Sequence, residues 1–171
     1  MNKILLIFII ILIIIGCNDV INKVTIDDKT GRSMLIGVME RSAFELPDFE
    51  EWYNDEYTAY EVDEFILDQI KELRDNVDIQ IFMGTWCSDS RREVPRFLKI
   101  LDLSEFEQCK LQIINVDKKM NSPTHEEKNK NIEYVPTFIL NRNGIEIGRI
   151  VEFPIITLES DLLSILLGID P

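Results

Sequence analysis

This chain predicts an α/β domain: a single mixed β-sheet flanked by helices, with a helical extension on its N-terminal side. Three observations carry the prediction. Ile79-Gln80-Ile81-Phe82-Met83 alternates and stops at Gly84, as a strand does, while Val94, Phe97, Leu98 and Leu101 recur at the i, i+3, i+4, i+7 spacing of an amphipathic helix. Two later apolar segments, 137–140 and 145–151, flank Asn143-Gly144, a dipeptide suited to a tight hairpin turn. Hydrophobic residues make up 46% of the chain and charged residues 29%, an ordinary globular balance, so one domain with its own core is expected.

The chain opens with an unbroken apolar run from Ile4 to Ile15, which ends in Ile14-Ile15-Gly16-Cys17. A helix of that length reaches ~18 Å, short of the ~30 Å hydrocarbon core, so a permanent spanning helix is the weaker reading. The run resembles a bacterial lipoprotein signal peptide covering 1–16, with Cys17 as the acylated first residue of the mature protein. Several acyl chains give stable anchoring where one does not. Ordinary signal-peptidase cleavage and an uncleaved anchor are the alternatives. The resemblance implies an exported protein tethered through Cys17 to a membrane of the bacterial cell envelope, facing the periplasm. Residues 17–30 read as a polar, lipid-anchored linker ahead of a domain spanning 31–171.

Within the domain, 34–39 reads as a first strand. Residues 48–60 read as a helical insertion whose Phe49, Trp52, Tyr53, Tyr57 and Tyr60 form a face that packs on the domain. Val62, Phe65, Ile66, Ile70 and Leu73 mark the next helix. Strand 79–83 and helix 88–103 follow, then strand 111–116, a short helix at 124–130, the hairpin and a closing helix at 158–167. Gly148 interrupts its strand and reads as a bulge.

Cys87 falls where the 88–103 helix begins. There the unpaired N–H groups and the positive end of the helix dipole favour a thiolate, so the chemistry expected is nucleophilic sulfur chemistry. Trp86-Cys87-Ser88-Asp89-Ser90 resembles the Trp-Cys-x-x-Cys site of the thioredoxin-like family, with serine in place of the second cysteine. Pro95 stands where thioredoxin helices carry a proline, and Tyr134-Val135-Pro136-Thr137-Phe138 resembles the family's cis-proline loop. The likeness spans about 78–167 and is nearer to bacterial lipid-anchored proteins with a Trp-Cys-x-Asp-Ser site than to cytosolic dithiol thioredoxins. It implies a thioredoxin fold with helices on both faces of the sheet and a cis Val135–Pro136 bond. An extended substrate would then pair with the backbone of Val135 beside the sulfur, and Trp86 would serve either as an apolar wall there or as simple core.

With one thiol, such a site forms a mixed disulfide that an external thiol must resolve. Ser90 cannot resolve it, although its hydroxyl can donate to the Cys87 sulfur. Cys109 lies beyond the far end of a ~24 Å helix, too far to pair with Cys87, and reads as a small hydrophobe. The buried aspartate and lysine of dithiol family members align with Ile81 and Ile113, a loss that weakens any claim of efficient disulfide reduction. Asp89 opposes a thiolate and Arg91 and Arg92 favour one, which leaves the net charge effect open. Catalytic roles therefore fall to Cys87 and Ser90, and substrate binding to Trp86, Val135 and Pro136. The partners implied are protein or low-molecular-weight thiols and disulfides. A binding module that holds an extended polypeptide or an envelope partner is the competing reading.

Other classes are disfavoured by the residues present. A net charge of −13 and the lack of a basic cluster argue against nucleic acid. Gly84 stands where peroxiredoxins place a threonine. His125, the single histidine, reads as an exposed residue at a helix start. No paired cysteines, histidine cluster, phosphate loop or dinucleotide motif suggests a metal or other cofactor.

Overall fold

The computed structural model describes residues 21–107 and 110–169; Cys109 and residues 1–17, with the expected signal peptide and Cys17, lie outside them. Strands β1 (Lys23–Ile26), β2 (Ser33–Met39), β3 (Val77–Met83), β4 (Leu111–Asn115), β5 (Thr137–Arg142) and β6 (Ile145–Val151) form one sheet in the order β1-β2-β4-β3-β5-β6. Only β3 and β4 run parallel, with α3 (Ser88–Leu103) crossing between them as a βαβ unit. All other neighbours are antiparallel. Helices α1 (Glu50–Ala59), α2 (Glu64–Leu73) and α4 (Leu158–Leu167) complete the α/β thioredoxin fold, and α1 and α2 form its N-terminal helical extension.

Alternation along the strands separates two cores. Ile79, Ile81, Ile113, Phe138 and Leu140 face the larger one, which holds the buried side chains of α2, α3 and α4, Phe97 meeting Phe138 at 4.4 Å between ring centroids. Phe82, Ile114, Val116, Val135 and Ile139 form the smaller one on the other side. Among the described residues the helices pack on the larger core and none contributes to the smaller one, where the resemblance implies helices on both faces. The short helix expected at 124–130 is a chain of turns, with positive φ at Met120, His125, Asn129 and Asn131, and Met120 and Ile132 from this irregular segment cover the second face. Asn at several of these positions tolerates left-handed backbone that a helix interior excludes.

Two other expectations change. Lys23–Ile26, placed in the linker, is an edge strand paired with β2 through Lys23↔Ile36 and Ile26↔Ser33. Phe65, one of the apolar residues that mark its helix, is 78% exposed, while Leu67 and Ile70 carry the burial. Asp63 caps that helix by accepting from Phe65 N and Ile66 N. The aromatic face of α1 packs as expected: Phe44 stacks on Tyr53 at 4.4 Å, and Tyr53 on Tyr57 at 5.8 Å. Charge fixes α1 to α3. Arg41 holds Asp102 in a two-bond fork of 2.5 and 2.6 Å, Tyr57 donates to the same carboxylate, and Arg96 binds Glu56 at 2.6 and 2.9 Å. Burial and the Asp102 carboxylate push the Tyr57 hydroxyl up to about 12.

The hairpin turn takes φ of 54° at Asn143 and 77° at Gly144, the two positive values that a tight primed turn needs. Near Gly148 the register shifts between Leu140 and Asn141, the bulge expected there. A Cβ on Gly148 would lie 2.7 Å from Ile165 Cγ2, so glycine lets α4 seat on β6.

Candidate active site

Cys87 is the N-cap residue of α3, with φ −91° and ψ 130°. No side chain caps this helix, so the N–H groups of its first turn are left without a side-chain partner beside the residue that carries the sulfur. Those groups can accept an ionised sulfur as a ligand. Cys87 is partly exposed, and its S–H donates to the Val135 carbonyl oxygen at 3.2 Å. The Val135–Pro136 bond is cis. Forty-eight residues apart in the chain, Cys87 and the proline loop therefore meet. Cys87 is the free cysteine among the described residues.

Trp86 both packs and bonds. Its ring lies against the smaller core, and Nε1–H donates to Val116 O at 2.9 Å, at the end of β4. Gly84 lets the ring settle, since a Cβ there would come within 2.5 Å of Trp86 Cε2 and Nε1. Thr85, also buried, accepts from Leu35 N through Oγ1 at 3.0 Å and ties the loop to β2. Ser90 is fully buried and accepts from Gly84 N at 3.2 Å. Its hydroxyl oxygen thus serves the strand-to-helix turn, and the donation to Cys87 Sγ that the sequence allows does not form.

Charge around the sulfur is resolved by pairing. Arg92 binds Asp89 at 2.8 Å and the buried Glu93 at 2.5 Å, and these carboxylates hold its guanidinium above its ordinary range. Arg91 instead donates Nε–H to Thr85 O at 2.8 Å. His125 is exposed on the irregular segment and faces Glu127 at 3.4 Å. Thr85 and Val116 carry no functional signal in the sequence, and the bond of Arg91 to Thr85 O is not one that its charge announces. Only the glycine two residues before a tryptophan carried a signal, that of close packing.

Beside the proline loop lies an apolar surface. Glu152 N donates to Pro136 O at 2.7 Å, and the chain beyond it displays Phe153, Ile155 and Ile156 at 61, 74 and 66% exposure. Tyr134, on the loop itself, is 52% exposed. This display is held rigidly: the buried Asp161 carboxylate accepts from Ile155 N at 2.6 Å and Ile156 N at 3.2 Å. No helix among the described residues is long and apolar enough to cross a membrane.

A family model described as thioredoxin matches residues 47–160. Among solved structures, a protein of unknown function from Pseudomonas aeruginosa aligns with TM-score 0.50 and 14% identity, over 68% of this chain and 80% of its own. A mutant thioredoxin from Halobacterium salinarum aligns with TM-score 0.37 and 17% identity, over 65% and 90%. Mitochondrial thioredoxin 3 of Saccharomyces cerevisiae, in oxidised form, gives 0.33 and 22%, over 56% and 86%. No curated protein matches.

Proposed function

Because this chain belongs to the thioredoxin family, matched over residues 47–160, we propose that it is a monothiol oxidoreductase of the bacterial cell envelope, lipid-anchored through Cys17. The observation that carries the reading is the partly exposed Cys87 sulfur, 3.2 Å from the carbonyl of the residue before a cis proline. Loss of the thiol proton frees the sulfur, and the first-turn N–H groups of α3 offset the charge. Thiolate attack on a disulfide R–S–S–R′ forms Cys87–S–S–R and releases R′–S⁻, the two electrons of the old S–S bond leaving with R′. Ser90 cannot form a second disulfide, so the adduct persists until an outside thiolate takes R away. Val135 and Trp86 border the bound segment R.

Acid-quenching cells, separating proteins on non-reducing gels and sequencing the adducts tests this proposal. Thiol-sensitive adducts linked through Cys87 and missing in Cys87→Ala support it; an identical pattern in the variant contradicts it.

The exposed Tyr134, Phe153, Ile155 and Ile156 favour a second reading, a module that holds apolar extended polypeptide without exchange. Partner capture that is unchanged in Cys87→Ala and lost in Phe153→Glu supports that alternative.

A further inference from the structure

The N-terminal extension does more than cover the sheet. The turn joining β1 to β2, the start of α1 and the loop before Cys87 enclose a cleft of about 510 Å³, within the ~300–1,000 Å³ usual for small-molecule sites. Arg32, Arg91, Asp48 and Glu51 line it, together with Trp52 and Trp86. Among the described residues, the side chains of Arg32, Asp48 and Glu51 have no hydrogen bond or ion pair, and Arg91 uses only its Nε, on a backbone carbonyl. Charges of both signs thus line one concavity without neutralising one another. Asp27, held down to about 2 by its bond to the Lys118 ammonium, is already committed and closes one wall.

A ligand that satisfies such a cleft carries a carboxylate for the arginines and an ammonium for Asp48 and Glu51. Thr85 and Trp86 form part of the wall, and Cys87, which follows them directly in the chain, stands just outside the lining, so a ligand that carries a thiol at one end suits the place. We infer that this cleft binds a zwitterionic, amino-acid-type low-molecular-weight thiol, the agent that resolves the Cys87 mixed disulfide. The inference rests on the exchange reading proposed above. In balance, R″–S⁻ attacks Cys87–S–S–R, the new bond is R″–S–S–R, and the departing electron pair regenerates the Cys87 thiolate.

Trp52 and Trp86 are the protein's two tryptophans and both line the cleft, so intrinsic fluorescence reports its occupancy. The probe is S-methylglutathione, a zwitterionic thioether that cannot exchange, titrated against wild type, Arg32→Glu and Asp48→Asn, with neutral 2-(methylthio)ethanol as control. Saturable quenching is expected for the zwitterion alone, weakened roughly tenfold or more in Arg32→Glu, a loss of about 1.4 kcal/mol, and more mildly in Asp48→Asn. Among the described residues neither exposed side chain has a hydrogen bond or ion pair to lose, so both variants are expected to keep the fold. No saturable response, an equal response to the neutral thioether, or unchanged affinity in Arg32→Glu overturns the assignment. Since the probe has no reactive sulfur, it also binds Cys87→Ala. Failure of binding therefore leaves the exchange chemistry standing, and failure of exchange leaves the binding result readable.

Discussion

One methyl group added at Gly84 would put a carbon 2.5 Å from Trp86 Cε2 and Nε1, well inside van der Waals contact. The obstacle is an indole that is itself held: its ring packs on the smaller core and its N–H donates to Val116 O at 2.9 Å. In Gly84→Ala either the ring leaves that bond or the turn before α3 shifts and pulls Ser90 from Gly84 N. Overpacking costs about 1–3 kcal/mol and a buried polar group left unmatched a further ~1–3 kcal/mol. Trp86 is only partly buried, so a loss of about 2–4 kcal/mol is expected. At roughly 3 °C per kcal/mol for a domain of this size, the midpoint falls by about 6–12 °C. Denaturant unfolding followed by circular dichroism measures the loss, and tryptophan emission should shift to the red as the ring gains solvent. A change below ~0.5 kcal/mol with unaltered emission would mean that Trp86 is not pinned between Gly84 and Val116, and the account of the wall beside Cys87 would fail.

Ser90→Cys should convert the site to a dithiol pair: an internal disulfide forms on oxidation and mixed disulfides clear without added thiol, as mass spectrometry before and after exposure to oxidised glutathione would reveal. Gly148→Ala should destabilise the protein by about 1–3 kcal/mol through its clash with Ile165. In an Ile165→Ala background, which removes both Cγ atoms that a Cβ on residue 148 would meet, that penalty should shrink, and a double-mutant cycle with no coupling would refute the contact. Asp27 is held at about 2, below its ordinary 3.8, chiefly by Lys118, so its contribution is complete above pH ~4 and is lost as pH falls toward 2. The stability gap between wild type and Asp27→Asn should therefore close across that interval in pH-dependent unfolding, and a gap unchanged from pH 5 to 2 would contradict the pairing. Tyr57, raised to about 12 by burial and Asp102, is stabilising below pH ~10 and loses that contribution as pH climbs through 12. Ultraviolet titration of wild type against Tyr57→Phe should accordingly remove a late-ionising tyrosine.

Where local periodicity coincided with burial, the chain could be read directly. Ile79, Ile81 and Met83 alternate because one face of β3 meets the large core, and Val94, Phe97, Leu98 and Leu101 repeat because α3 lies on that core. Asn143-Gly144 announced its turn because few other residues accept both positive φ values. Lys23–Ile26 gave no such sign: it is an edge strand, largely exposed on both faces, and its pairing with β2 depends on backbone bonds that leave no pattern in side chains. Residues 124–130 misled for the opposite reason. Their polarity suits an exposed helix, but left-handed backbone at His125 and Asn129 selects turns. At the site, the meeting of Cys87 with Val135 and Pro136 was legible through family resemblance, whereas the partners of Trp86 and Thr85 were not. Val116 O and Leu35 N lie 30 and 50 residues away and are backbone groups, which any sequence could supply. Ser90 shows the limit of reading by analogy, since its hydroxyl points to the turn and not to the sulfur.

The central claim is that Cys87 is an accessible nucleophile with no resolving partner. Its most direct test is the reaction of the folded protein with oxidised glutathione, quenched in acid at intervals and weighed intact beside Cys87→Ala. The account predicts one glutathione adduct on Cys87, stable for as long as no free thiol is present and absent from the variant. A folded protein whose Cys87 stays unmodified, or an adduct that disappears without added thiol, would contradict it.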